Sequence, residues 1–585
     1  MAKCIYICTK KSLTDHQKKR ERKLTSICNH LQPDNLSEIH HEIRSDKDAS
    51  FGIMNHKPSI QIKNGNILLG FLYDDAEDWY KPGSEAPNGN FAIFRNNGEA
   101  FEAVSDILAT RTIWYYHDEE VFIASTSQRA IIMYLERFEF NERVIPWVLS
   151  TGTPGPDYSW DQRIKKLPPD SSVHLDKKDW SIKTTVHPFR FHIQKKSYKE
   201  HQKKLYDVMN ESIKALTKLD SNHWPLTLSG GYDSRAILYF LKKHHDGNKP
   251  LRTITHGTEE SRSNKISDAY IADLLAKEEN TDHTFYSTDL PDESIETVFD
   301  RYLNSSEGRV DHITGYLDGM KMWKDFVEKK EIHGIIRGDV VFHPFKVPTE
   351  RFVRHRLGFQ QCSDFSNLDK ISKKFGFAEQ KVPERLQIKE NESPYDWRER
   401  VYQGFRVPTV HGALTEIKLT YVELVSPFLS RKMIKTMRGF PQKIRINKDI
   451  FKNIVDDLSL DIPYAKEEAT ISKAGVLREP EIADYLKKKL SSDFARNLLG
   501  SEFMDYIVQR IKSKEEKEYR ESLILKLKKT FQVFVYDNFP DFIMYYYEKF
   551  RDNPKLDDNV LAFRIFMIVR MCEILQEDSQ MLKHQ

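Results

Sequence analysis

The sequence predicts an α/β protein in two parts: a strand-rich N-terminal region, then a parallel sheet whose chain ends in helices. Three observations predict it. Up to about residue 190 the chain carries short β-rich runs broken by turn residues. From Ser197 apolar runs alternate with helical segments, the pattern of a parallel sheet. Beyond about residue 400 the pattern is mainly helical and polar-faced.

In the first region NGNILLGFLYDD, NGNFAIFRNNG, TIWYYHD and EEVFIAST read as strands joined by Asn-Gly and Asp-Glu turns. WVLSTGTPGPDYSW is a Pro/Gly loop, and KKLPPDSSVHLD turns into a further strand. SYKEHQKKLYDVMNESIKALTKL then places Leu205, Val208, Met209, Ile213 and Leu216 at helical spacing. The strand LTLS, the helix SRAILYFLKKHH, the strand LRTITHG, the helix ISDAYIADLLAKEEN and the strand HTFYST follow in turn. IHGIIRGD reads as a later buried strand. We expect domains at residues 1–195 and 196–585.

Composition narrows the function classes. A chain of 585 residues exceeds one compact core, and 39 % hydrophobic with 12 % aromatic residues argues against disorder. Lys+Arg 90 against Asp+Glu 87 leaves +3, with the signs interspersed; KKSLTDHQKKRERK reads as a solvated helix face. This balance calls for neither nucleic acid nor a membrane surface. Five scattered cysteines (Cys4, Cys8, Cys28, Cys362, Cys572) without a CxxC pair fit a reducing cytoplasm, not a disulfide framework or zinc site. MAKCIYICTKKS lacks a signal-peptide core, and no run of about 18 apolar residues could span a bilayer. The expectation is a cytoplasmic protein.

The chemistry concentrates in PLTLSGGYDSRAIL, residues 225–238. Parallel sheets bind ligands beyond the carboxyl ends of their strands. Gly230 and Gly231 suit a sharp turn and close backbone approach. A helix beginning near Ser234 would aim its free N–H groups and positive dipole end at the ligand, and Ser229 and Ser234 would add hydroxyl donors. Asp233 would repel a bare phosphate, so it makes sense holding a Mg²⁺ that neutralises phosphates. The GxxxxGK[ST] pattern is absent, which excludes a γ-phosphate grip of that kind.

SGGxDS on a strand-turn-helix resembles the pyrophosphate loop of the N-type ATP pyrophosphatases. Within them the chain resembles the asparagine synthetase group, which includes β-lactam synthetase and lasso-peptide cyclases. The segment from NGNFAIF to ASTSQRAI is similar to part of that group's glutaminase-like domain, and IKKLPPDSSVHLD to its closing turn. ITHGTEESRSNKISDAYIADLLA resembles the second strand and helix of the ATP domain. IIRGDVVF stands at the second Asp-bearing loop, and YVELVSPFLSRKMIKTM at "E-x-R-x-PFLD". The resemblance implies an Ntn-hydrolase-like αββα domain followed by an adenine-nucleotide α-hydrolase-like domain with a helical C-terminal part. It also implies ATP and Mg²⁺: a substrate carboxylate attacks the α-phosphate, pyrophosphate leaves, and an amine displaces AMP to give an amide. Carried over by position, Leu228, Ser229, Gly230, Gly231, Asp233, Ser234, Thr255, Gly257 and Gly338 would bind the nucleotide. Asp233 and Asp339 would hold the metal, with Glu423 near the substrate. The group's late charge-stabilising lysine would be Lys466, with Lys473 in reserve.

The departures shape the functional expectation. Working glutaminases of this group expose Cys after Met removal; here that place holds Ala2, and Cys4 and Cys8 read as core residues of a first strand. Val340 replaces the acid after Asp339, and Val425 the Arg of the PFLD motif. We therefore expect an amide-forming ligase that does not use glutamine, in the branch that closes β-lactams or peptide macrolactams. Its substrate would carry both a carboxylate and an amine, with a precursor peptide or protease as partner. The alternatives are an ammonia-dependent asparagine synthetase and a non-catalytic ATP-binding scaffold.

Overall fold

The computed structural model describes residues 3–584 except 11–13, 38–39, 57–58, 246, 248, 291–292, 343–344, 459–460, 470–472 and 515–539. Ala2 and residues 515–539 therefore lie outside the described residues.

The N-terminal region contains β1 (Lys3–Thr9), β2 (Glu42–Ser45), β3 (Ala49–Met54), β4 (Gln61–Lys63), β5 (Asn66–Leu72) and β6 (Gly89–Asn96). β7 (Ala100–Ser105), β8 (Trp114–His117), β9 (Val121–Ser125), β10 (Lys165–Lys166), β11 (Ser171–Asp176) and β12 (Ser181–Val186) complete it. These strands form two antiparallel sheets, ordered β10-β8-β9-β1-β3-β2 and β12-β11-β7-β6-β5-β4. The Asn-Gly signal is fulfilled between β4 and β5: Asn64 and Gly65 have φ of 52° and 76°, and Lys63 pairs with Asn66 across the two-residue turn. The sheets stack face to face, with the Tyr6 ring of β1 centred 4.8 Å from Phe101 of β7 and 6.3 Å from Phe94 of β6. The helix Thr14–His30 covers the far face of the first sheet, where Gly52 lets Cys28 and Leu24 approach the strand. On the far face of the second, Leu68, Phe91, Ile93 and Val104 bury Trp79 from the β5–β6 connection.

After a stretch without helix or strand at residues 187–197, Ser197 and Glu200 form a reciprocal cap on the helix Tyr198–Lys214. The third sheet then comprises β13 (Leu226–Thr227), β14 (Arg252–Gly257), β15 (Asp282–Ser287), β16 (Gly334–Ile336) and β17 (Glu423–Val425). All its pairings are parallel, in the order β15-β14-β13-β16-β17. The helices Tyr232–His244 and Asp268–Glu278 make the first crossovers. Chain order runs outward in both directions from the β13/β16 seam, so the topological switch point lies there, where such sheets bind ligands.

The C-terminal part is helical as expected, with one difference. The helix Asp558–Gln580 is buried around most of its circumference instead of being polar-faced, as a helix with apolar residues on every side must be. Its Asp578 pairs with Arg129 of the N-terminal region at 2.7 Å. Lys3–Glu307 at 2.8 Å and Arg111–Glu423 add two more buried ion pairs between the same regions. Among the described residues no helix is long and apolar enough to cross a membrane.

Candidate active site

The loop after β13 is held by its own side chains. Leu228 is buried, and its carbonyl accepts the Thr255 hydroxyl at 2.6 Å, tying the loop to β14. The Ser229 and Ser234 hydroxyls lie 3.0 Å apart, Ser234 Oγ accepts the Ser229 N–H at 3.0 Å, and Ser229 Oγ accepts the Gly231 N–H at 3.3 Å. The hydroxyls thus brace the turn. The helix begins at Tyr232, with Gly231 as its N-cap and no side chain capping it. That leaves the N–H groups of its first turn without a capping acceptor at the carboxyl end of β13, a setting suited to phosphate.

The glycines serve a different purpose from the sharp turn expected. Neither Gly230 nor Gly231 has a positive φ. At Gly230 a Cβ would meet Ala465 Cβ at 2.6 Å and Ile271 Cβ at 2.8 Å, so this glycine admits the protein's own chain. At Gly231 the nearest atom would be Ser229 Oγ at 3.5 Å. Its open side is therefore the one where a ligand can approach the backbone.

Asp233 and Asp339 come together across the seam. Gly338 makes this possible: a Cβ there would lie 2.6 Å from the Ser234 nitrogen and 2.7 Å from the Asp233 carbonyl carbon. Asp339 accepts the Ser426 hydroxyl at 2.9 Å and pairs with Arg337 at 3.2 Å. Burial opposes its ionisation, but Arg337, His411, Ser426 and Lys418 together hold its carboxyl below the usual value. Burial raises the Asp233 carboxyl; Lys448 pulls it down and Asp339 pushes it up, so the two acids sense each other. Both keep some water contact, 28 % of the side chain for Asp233 and 14 % for Asp339. Two such carboxylates fit a Mg²⁺ whose other ligands are phosphate oxygens and water. Among the described residues no group of three or more His, Cys, Asp or Glu is placed to hold a metal by itself.

Residues 461–469 run over this loop. Ala465 N–H donates to Gly230 O at 3.1 Å, Asp268 N–H to Glu467 O at 2.9 Å and Thr258 N–H to Ala469 O at 2.9 Å. Gly257 is needed here, since a Cβ would meet Ala469 Cβ at 2.6 Å. Tyr464 stacks on Tyr232, ring centroids 3.8 Å apart, beneath the Arg235 guanidinium. Lys466 is thereby placed one residue beyond the Gly230 contact, with its side chain exposed. Lys473, its reserve, is engaged elsewhere: its ammonium pairs with Asp311 at 2.6 Å.

Comparison with known proteins gives a family match over part of the chain. Residues 205–306 match the family model described as asparagine synthase. That stretch is asparagine synthase-like. A search of the curated proteins returns no match. The matched stretch contains β13, β14 and β15 and the whole SGGYDS loop. The asparagine synthase domain supports, in general terms, an ATP-dependent amide-forming ligase.

Not every expected residue joins the cleft. Glu423 opens β17 opposite Gly334, at the amino-terminal end of the strand, 1 % exposed and paired with Arg111. Val340 and Val425 are buried in the apolar core. Other residues around the cleft emerge only from the fold. Lys448, at a φ of 62°, delivers its ammonium to Asp233 from a distant part of the chain. Asp268 accepts the Gly230 N–H at 3.1 Å. Tyr402–His411 forms a π-helix containing Pro408, closed by a bond from Gly412 N–H to Val407 O, five residues back. Tyr402 and His411 both feel the charge of Asp339. Such wide turns are rare and gather at functional sites.

Proposed function

We propose that the protein activates a substrate carboxylate as an acyl-adenylate, with release of pyrophosphate, and lets an amine displace AMP to form an amide. The observation that carries this reading is the convergence of Asp233 and Asp339 at the β13/β16 switch point beside an uncapped helix start. Asp233 and Asp339 would hold the Mg²⁺, which when bound shields phosphate charge and favours departure of pyrophosphate. The first-turn N–H groups and the open side of Gly231 would receive the leaving phosphates. Lys466 is the lysine we assign to stabilising developing negative charge, because Lys473 is committed to Asp311.

We also propose that glutamine is not the nitrogen source. Cys4 and Cys8 lie in the central strand β1, and burial raises the Cys4 thiol well above its ordinary value and pushes Cys8 up to about 12. Neither is poised as a nucleophile. Closure of a lactam or macrolactam by an amine on the substrate itself is the most specific form of the proposal.

The test is ATP–pyrophosphate exchange across a panel of amino-acid and peptide carboxylates. Exchange should appear with at least one of them and vanish in Asp233→Ala. Undiminished exchange in that variant would remove Asp233 from the metal site. Release of glutamate from glutamine by the purified protein would overturn the second proposal.

A further inference from the structure

The stretch at residues 187–197 is strapped to the end of the helix Arg431–Arg438. His192 N–H donates to Arg438 O at 3.1 Å, and Gln194 N–H to Gly439 O at 2.9 Å. Beside this strap lies a cavity of about 140 Å³, bordered by Asp170 of the N-terminal region, Phe189 of the strap, Gln403 of the π-helix, Lys389 and Arg438. None of its described lining residues belongs to the SGGYDS loop. Two further cations on its wall are balanced, Arg385 by Asp157 and Arg400 by Glu392. The acid on the wall, Asp170, is taken by Arg431 at 2.6 Å. That leaves Arg438 and Lys389, neither of which forms an ion pair among the described residues.

Arg438 is the better held of the two. Its Nε donates to the Gln403 amide oxygen at 2.9 Å, and its guanidinium carbon lies 4.3 Å from the centre of the Phe189 ring. The ring covers one face of the guanidinium and leaves its in-plane donors open. Among the described residues its two terminal nitrogens have no hydrogen-bond partner. Burial pushes its pKa down to about 10, with Arg431 adding to the shift and Asp170 opposing it. It therefore stays charged at neutral pH without a counter-ion of its own.

We propose that Arg438 and Lys389 form a binding site for a phosphate-class dianion, separate from the nucleotide loop. Two unbalanced cations match the charge of a phosphoryl group, about −1.5 to −2 near pH 7. The guanidinium fork matches its oxygens. At about 30 Å³ per water-sized atom, the cavity has room for the few heavy atoms of a phosphate. A dianion held there would join the N-terminal region, the strap and the π-helix, since all three border the cavity. The site does not depend on the adenylation reading.

The experiment is calorimetric titration of the full chain with inorganic phosphate, glycerol 3-phosphate and acetate at constant ionic strength. At least one of the two phosphates should bind about ten-fold more tightly than acetate. The tighter of the two tells a free phosphate from a monoester. Arg438→Gln should erase the preference over acetate, and Arg438→Lys should restore part of it. Lys389→Met, at an exposed position that does not threaten folding, should reduce it by a smaller factor. Gly231→Ala, which alters the nucleotide loop, should leave it unchanged. Equal binding of phosphates and acetate to the wild type, or a preference unaltered in both Arg438→Gln and Lys389→Met, would overturn the site. So would loss of phosphate binding in Gly231→Ala, which would place the anion at the nucleotide loop instead.

Discussion

Gly338→Ala offers the sharpest perturbation of the site. The added Cβ would sit 2.6 Å from the Ser234 nitrogen, 2.7 Å from the Asp233 carbonyl carbon and 3.0 Å from Ser234 Cα. All three are backbone atoms in the first turn of a helix, so no rotamer change can relieve the contact. Reaching an ordinary separation of about 3.5 Å requires the two loops to part by about 1 Å. Overpacking of this kind costs about 1–3 kcal/mol, read as a lower midpoint in urea unfolding. If the loops relax apart, Mg·ATP binding must restore the strain, so affinity falls by about ten-fold for each 1.4 kcal/mol. Gly231→Ala is the counterpart, because its Cβ would meet nothing closer than 3.5 Å. Its stability should stay within about 0.5 kcal/mol of the wild type, while affinity for Mg·ATP falls because the ligand's approach is blocked. Calorimetry with Mg·ATP on both variants is the assay. Wild-type affinity in Gly338→Ala, or a Gly231→Ala variant that loses stability yet binds normally, would refute the assignment of these glycines.

Three further perturbations test other parts of the site. Lys448→Met strips Asp233 of its cation and should destabilise the protein by about 1–2 kcal/mol at pH 7. The loss should shrink towards pH 4, since the Asp233 pKa is already raised and the acid then turns neutral; an equal loss at both pH values would contradict the pairing. His256 has its pKa lowered from 6.5 to about 4, first by burial and then by Lys418 and Arg337. The unfolded chain therefore binds a proton between pH 6.5 and 4 that the native state refuses, and stability falls as pH falls through that window by about 3 kcal/mol. His256→Asn should flatten the slope, and an unchanged slope would reject the cause. Arg111→Met leaves Glu423 buried and unpaired and should cost about 3–5 kcal/mol, largely recovered in Arg111→Met with Glu423→Leu. Mg·ATP affinity of the double variant should match the wild type, and its loss would return Glu423 to the active site.

The parts of the fold read from the sequence are those written in local periodicity. The alternation from Ser197 to Ser287 fixes the first three parallel strands and their crossovers, and Asn64-Gly65 fixes one hairpin. SGGYDS marked its strand end because Gly, Ser and Asp together are an unusual charge and backbone choice there. The reason for Gly230, Gly257 and Gly338 was hidden, since each accommodates a neighbour distant in sequence: Ala465, Ala469 or the Asp233–Ser234 turn. Lys448 escaped for the same reason, being one lysine among many until the fold carries it to Asp233. The π-helix gave no signal because an ordinary helix would put Tyr402 and His411 on opposite faces, and only the wider turn brings both towards Asp339. Glu423 shows the converse. Its motif context suggested chemistry, but a buried Arg111 from the N-terminal region occupies it.

The most direct test of the central claim is the electron paramagnetic resonance of Mn²⁺ bound together with α,β-methylene-ATP to the wild type, Asp233→Asn and Asp339→Asn. The account predicts one tightly bound ion in the wild type and loss of that ion in each single variant, with folding intact by circular dichroism. A signal that survives removal of either carboxylate would show that Asp233 and Asp339 do not share a metal, and the proposed adenylation site would fall with it.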